Sequence, residues 1–282
     1  MSQLRPSTPT HAHARRFLSA GWAIVGVVVL LVAGLSACPA QQAGPSEERT
    51  LVVFAASSLR EPFLELAQGF EDTHPGARVR MQFAGSQLLR VQLEHGARAD
   101  VFASADQRHM EALQSRGMVE APELFARNAL VVVVAGHAAG VVTDFHALPR
   151  AGRIVLGHPE APIGRYTATL LENAGAAFAA RVREHLVSEE LNVGQVLHKV
   201  VLGEADAGIV YRSDLLSAGA GVNALEIPSG VAPIAEYPIA VTREAREPEL
   251  ARAWVAWVRS ETGVRVLERA GFLMMPEAVA QP

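Results

Sequence analysis

From Thr50 onward, short apolar runs alternate with stretches whose apolar positions recur every three to four residues, which predicts strands and helices in succession. Leu51–Ala55 (LVVFA) reads as a buried strand. Leu59, Phe63, Leu66, Ala67 and Phe70 mark one face of a helix over Leu59–Thr73, which Pro75-Gly76 ends. Arg78–Ala84 alternates like a strand, Gln87–His95 reads as a helix stopped by Gly96, and Asp100–Ala103 is a third strand. Asp106 is placed to cap a helix over Gln107–Arg116. A second series starts with strands at Ala129–Ala135 and Arg153–Gly157, followed by helices near Gly164–Asn173 and Val193–Gly203. Strands follow at Ala207–Tyr211, Val222–Ile227 and Ile234–Val241, and helices at Glu249–Arg259 and Thr262–Ala270 close the chain. The alternation predicts an α/β fold with largely parallel sheets.

One local feature recurs. A buried strand runs into a loop of Ala, Gly and Ser and then into a helix, at Phe54-Ala55-Ala56-Ser57-Ser58-Leu59 and again at Phe83-Ala84-Gly85-Ser86-Gln87-Leu88. Such a loop puts hydroxyls and free backbone N–H groups at the positive end of a helix, beyond the carboxyl end of a strand, where α/β sheets bind ligands. Neither loop contains Asp or Glu. A fully deprotonated oxyanion has no proton to give and needs donors only, whereas protonated phosphate would also use an acceptor. The same serines also suit plain helix capping, since Ser58-Leu59-Arg60-Glu61 has capping-box spacing. At this level both readings stand.

Composition changes the picture chiefly at the N-terminus. Arg5, Arg15 and Arg16 precede the uncharged 15-residue run Gly21–Leu35, shorter than the roughly 20 residues a membrane-spanning helix needs. This layout predicts a secretory signal over residues 1–37, and Leu35-Ser36-Ala37-Cys38 looks like a bacterial lipobox with Cys38 as the lipidated residue. An uncleaved signal anchor is the alternative. Arg15-Arg16-Phe17-Leu18 only partly resembles a twin-arginine signal. Residues 38–49 (CPAQQAGPSEER) read as a flexible tether. Of 25 basic and 29 acidic residues, three Arg and no acid fall within residues 1–37, so the remainder carries a formal −7. That balance argues against a nucleic-acid partner. The single cysteine excludes a disulfide scaffold or a Cys-cluster zinc site.

Several segments, in order, resemble the periplasmic molybdate-binding proteins of ABC transporters: VFAASSL (Val53–Leu59), FAGSQLLRVQLEHGARADVFASADQ (Phe83–Gln107), GHPEAPIGRY (Gly157–Tyr166), GIVYRSD (Gly208–Asp214), YPIAV (Tyr237–Val241) and Gly271-Phe272. The resemblance implies a two-lobed type II periplasmic-binding-protein fold, each lobe a mainly parallel sheet flanked by helices. Residues 50–127 with 240–282 would form lobe 1 and residues 128–239 lobe 2, with crossings near Arg127-Asn128 and Tyr237-Pro238. It further implies a monomeric receptor, not an enzyme. The receptor would sit on the outer side of the membrane through Cys38, hold molybdate or tungstate without cofactor or further metal, and deliver it to an ABC permease with its ATPase. The implied ligand groups are the hydroxyls of Ser58, Ser86 and Tyr211 and the backbone N–H groups of Ile163 and Val193. Gly85 stands where a Ser is common, and Arg165 and Arg212 bring charge beside matched positions.

A receptor for sulfate, phosphate or ferric iron would share that fold. Tyr166, Tyr211 and Tyr237 are isolated in the sequence, without the adjacent tyrosine pair that ferric sites resemble. An exported lipoprotein hydrolase is disfavoured because the chain has no G-x-S-x-G and no H-E-x-x-H. Eight histidines beyond the signal fall at no ligand spacing and read as scattered surface residues.

Overall fold

The structure, a computed structural model, describes residues 48–274, so the expected signal, Cys38 and most of the tether lie outside the described residues. The first series comprises β1 (Arg49–Ala56), α1 (Arg60–Thr73), β2 (Ala77–Ala84), α2 (Ser86–Glu94), β3 (Val101–Ala103), α3 (Gln107–Ser115) and β4 (Glu123–Asn128). The second comprises β5 (Leu130–Ala135), β6 (Ile154–Gly157), α4 (Pro162–Asn173), α5 (Ala176–Glu184), β7 (Leu186–Glu190), α6 (Val193–Val201), β8 (Ala207–Tyr211) and β9 (Val222–Glu226). The chain then returns through β10 (Ala235–Val241) to α7 (Pro248–Arg259) and α8 (Glu261–Arg269).

The strands build two sheets with matching layouts, β2-β1-β3-β10-β4 and β7-β6-β8-β5-β9. In the first, β1 runs parallel to β2 and β3 while β10 is antiparallel to β3 and β4. In the second, β6 is parallel to β7 and β8 while β5 is antiparallel to β8 and β9. The reversed strand of each sheet is the one that enters directly from the other lobe. The first crossing is the single residue Ala129 between β4 and β5; the second is the segment between β9 and β10.

The sequence places the second crossing near Tyr237-Pro238 and the end of lobe 2 at residue 239. Instead, the whole of β10 pairs in the first sheet, beginning with Ala235 opposite Asn128. Pro238 marks a register shift within this strand rather than its entry, a position where a residue without an N–H is tolerated. Three elements were not anticipated. β7 is half-exposed and carries Ser-Glu-Glu, β4 buries little beyond Phe125, Ala126 and Asn128, and α5 is rich in Ala and Arg. In the first lobe Trp254 of α7 meets Phe63 and Phe70 of α1 edge-on, with ring centroids 5.7 and 5.3 Å apart. That packing fixes α1, and with it the loop between β1 and α1, against the sheet.

Candidate functional site

Each of the four loops that meet between the lobes leads from the carboxyl end of a strand into a helix. β1 leads through the turn Ser57–Leu59 into α1, β2 into α2, β6 into α4, and β7 into α6. The two serine loops do not cap their helices. No side-chain cap is formed at Ala56, Leu59 or Gly85, so the capping box expected from Ser58 and Glu61 is absent. Asp106 and Asn192, by contrast, do cap α3 and α6. The serine hydroxyls are therefore available for something else. Ile163 is the second residue of α4 and Val193 the first of α6, positions whose backbone N–H groups have no acceptor within their own helix.

Ser58, Ser86, Ile163, Val193 and Tyr211 all line one cavity of about 10 Å³, together with small neighbours such as Ala56, Ala105 and Ala161. By volume that is about the space one water-sized body needs. Among the described residues, no charged side chain lines it. Ser86 Oγ accepts the Ala105 N–H at 3.0 Å, which leaves its own proton free to donate into the cavity. Ser58 Oγ lies 2.9 Å from the Tyr237 hydroxyl, which can donate to it and free the Ser58 proton likewise. The Tyr211 hydroxyl is buried without a hydrogen-bond partner among the described residues. Burial pushes Tyr211 and Tyr237 well above the ordinary phenol range, so both remain neutral donors.

The two arginines that could have charged the site are turned to acids. Arg165 donates to Asp106 Oδ2 at 2.9 Å, and Arg212 pairs with Glu226 at 2.5 Å. The tyrosines isolated in sequence cluster in space. Tyr211 meets Tyr237 and Tyr166 edge-on, with centroids 5.9 and 6.3 Å apart. Tyr237 is engaged by Ser58, and Tyr166 accepts the Glu236 N–H at 3.1 Å with its pKa pushed up to about 12 by burial. The surface reading of the histidines fails at His109, which is buried in α3 and reaches the Glu160 carbonyl at 3.1 Å. Its pKa is lowered, chiefly by burial.

Sequence reasoning missed Tyr237, Asn192 and Gln87. Asn192 had a readable signal, a capping residue directly before an apolar helix. The other two act on partners far away in the chain. Beside the small cavity lies a wider one of about 240 Å³ that shares Ser57, Ser58 and Asn192 and is also lined by Arg60, His198 and Asp214.

Comparison with known proteins places this geometry. The profile of the family described as bacterial extracellular solute-binding protein matches residues 51–273. Over 254 residues, 87% of this chain and 95% of the relative, the sequence is 40% identical to the molybdate-binding protein ModA of Mycobacterium tuberculosis. A putative ABC transporter substrate-binding lipoprotein of Bacillus subtilis, YvgL, is 30% identical over 86% of this chain and 93% of its own. Among solved structures, the periplasmic molybdate-binding protein of Azotobacter vinelandii superposes with a TM-score of 0.72 at 22% identity, covering 80% of this chain and all of its own. That last likeness bears on the fold, which is the two-lobed arrangement of binding proteins. The chain belongs to the bacterial extracellular solute-binding protein family.

Proposed function

We propose that the protein captures molybdate, or the similar tungstate, outside the cytoplasmic membrane and delivers it to an ABC permease with its ATPase. The observation that carries this reading is the charge-free cavity between the lobes, lined by four hydroxyl side chains and the starts of α2, α4 and α6, in a chain 40% identical to a molybdate-binding protein. Ser58 and Ser86 would donate from the first lobe, and the Ile163 and Val193 N–H groups and the Tyr211 hydroxyl from the second. A dianion without protons is satisfied by donors alone, and the starts of α4 and α6 add the favourable ends of their dipoles. With no charged side chain facing the ligand and a formal −7 on the chain beyond residue 37, binding rests on local dipoles rather than bulk attraction. The protein works by binding and lobe closure, driven by the ligand's preference for the closed state, and not by catalysis. Cys38 would carry the lipid that keeps this monomeric receptor at the membrane, with residues 39–49 as its leash.

A thermal-shift titration with molybdate, tungstate, sulfate and phosphate tests the reading, since a ligand that binds only the native state raises the melting temperature by mass action. Molybdate and tungstate are expected to shift it. A shift with sulfate or phosphate and none with molybdate would overturn the assignment. Absence of lipid on Cys38 in the expressed precursor would remove the anchor.

A further inference from the structure

Gln87 follows Ser86 in α2, and its side chain is buried. Its Nε2 crosses the cleft and donates to the carbonyl of Leu191 at 2.6 Å. Leu191 lies between β7 and α6, directly before Asn192 and Val193. One hydrogen bond thus ties the start of α2 to the start of α6, the two helix starts that bring Ser86 and Val193 to the cavity. The amide orientation is set by its partner, because the opposite one would face oxygen to oxygen. It leaves Gln87 Oε1 buried without a donor among the described residues. A role confined to packing would not call for that cost, which an apolar side chain of similar size avoids.

Gly85 supports the same point. Its φ of −64° is open to any residue, so conformation does not explain the glycine. Space does. A Cβ there would lie 2.3 Å from the Leu191 carbonyl oxygen and 2.5 Å from Gln87 Oε1. No side chain at position 85 is compatible with lobes joined in this way.

We propose that Gln87 is a positioning residue, a clasp that holds the lobes closed over the cavity and sets how fast the bound anion leaves. The bond exists only when the lobes are together, so opening must break it while the encounter with ligand in the open form does not involve it. The identity of the anion rests on the function proposed above; the clasp itself does not.

The test is stopped-flow binding and release of molybdate by wild type and by Gln87→Leu, which keeps bulk and removes both amide atoms. Release is expected to speed up roughly three- to tenfold, the worth of one neutral hydrogen bond, with the association rate unchanged. The melting temperature without ligand should be unchanged or higher, which separates the clasp from a role in folding. Gly85→Ala, which wedges the same contact from the other side, should also speed release and should enlarge the radius of gyration of the anion-saturated protein in small-angle scattering. Unchanged release in Gln87→Leu, or an unchanged radius in Gly85→Ala, would overturn the proposal. If molybdate does not bind but another of the four anions does, the cargo assignment fails and the same kinetics with that anion decide the clasp. If none binds, both fall.

Discussion

Arg165 of the second lobe donates to Asp106 of the first at 2.9 Å, and Asp106 is almost wholly buried. The pair is one of several direct links between the lobes, beside those of Gln87 to Leu191 and His109 to Glu160. Asp106 follows Ala105, whose N–H holds the Ser86 hydroxyl, and Arg165 lies two residues beyond Ile163. A cation and an anion close to the cavity thereby cancel each other, and the cavity keeps neutral walls.

Arg165→Ala should weaken molybdate binding by about 1–2 kcal/mol. The lower part of the range for bonds to charged groups applies because Arg165 is 39% exposed. The larger part of the loss should come from Asp106, left with an uncompensated charge that repels the incoming dianion. Asp106→Asn in the same chain should then restore part of the affinity, since Asn can still cap α3. Isothermal titration of the two single variants and the double variant measures the coupling. Strictly additive losses would mean that the pair does not act as a unit.

Tyr211→Phe separates binding from stability. The hydroxyl it removes is buried and has no hydrogen-bond partner among the described residues, so the ligand-free protein should melt at the same temperature or higher. Affinity for the anion should nevertheless fall by about 1.5–3 kcal/mol, the worth of a hydrogen bond to a charged group. Lower stability with unaltered affinity would take Tyr211 out of the site.

How far the site could be read from sequence depended on what each residue contributes. Ser58 and Ser86 were visible because each ends a small-residue loop between a buried strand and a helix, a local pattern. Ile163 and Val193 would contribute only a backbone N–H, which any side chain leaves in place, so only the family resemblance pointed to them. Tyr237 and Gln87 could not be found locally. Tyr237 meets Ser58 across 179 residues of chain and Gln87 meets Leu191 across 104. The fold was legible where apolar patterning was strong and failed where it was diluted. β7 is a half-exposed edge strand, and the proline of β10 suggested a chain crossing where the strand only shifts register.

Ser86→Ala should behave unlike Tyr211→Phe. Ser86 is a buried acceptor for the Ala105 N–H, so its loss leaves that donor unpaired and should lower the stability of the ligand-free protein by about 1–3 kcal/mol. Anion affinity should fall by about 1.5–3 kcal/mol as well. Melting and calorimetric titration of the same preparation give both numbers. An unchanged affinity would remove Ser86 as a ligand group even if stability falls.

Asp214 makes stability depend on pH in a direction that can be worked out. Its carboxylate is buried in the turn after β8 and accepts the Tyr211 N–H at 2.9 Å. Burial raises its pKa from 3.8 to about 7, with the Tyr211 N–H pulling the other way. Between about pH 4 and 7 the folded protein therefore keeps a proton that the unfolded chain has released. More protons bound in the native state means that stability falls as pH rises through this window, and the loss is complete above it. The total is at most about 4 kcal/mol, since one proton held across that window is worth about 1.4 kcal/mol for each pH unit. His109 works in the opposite direction. Burial lowers its pKa below 6.5, so stability is lost as pH falls below that value. Asp214→Asn keeps an acceptor for the Tyr211 N–H and carries no charge at any pH. Its melting temperature should lose the downward slope between pH 4 and 7, exceed that of wild type at pH 7.5, and rise with pH below 6.5, where His109 and, toward pH 4, the ion-paired carboxylates of Glu94, Glu120 and Asp206 all act in that direction. Melting curves of the ligand-free protein across pH 4–8 check this, and a variant whose slope matches wild type would show that Asp214 does not titrate in that range.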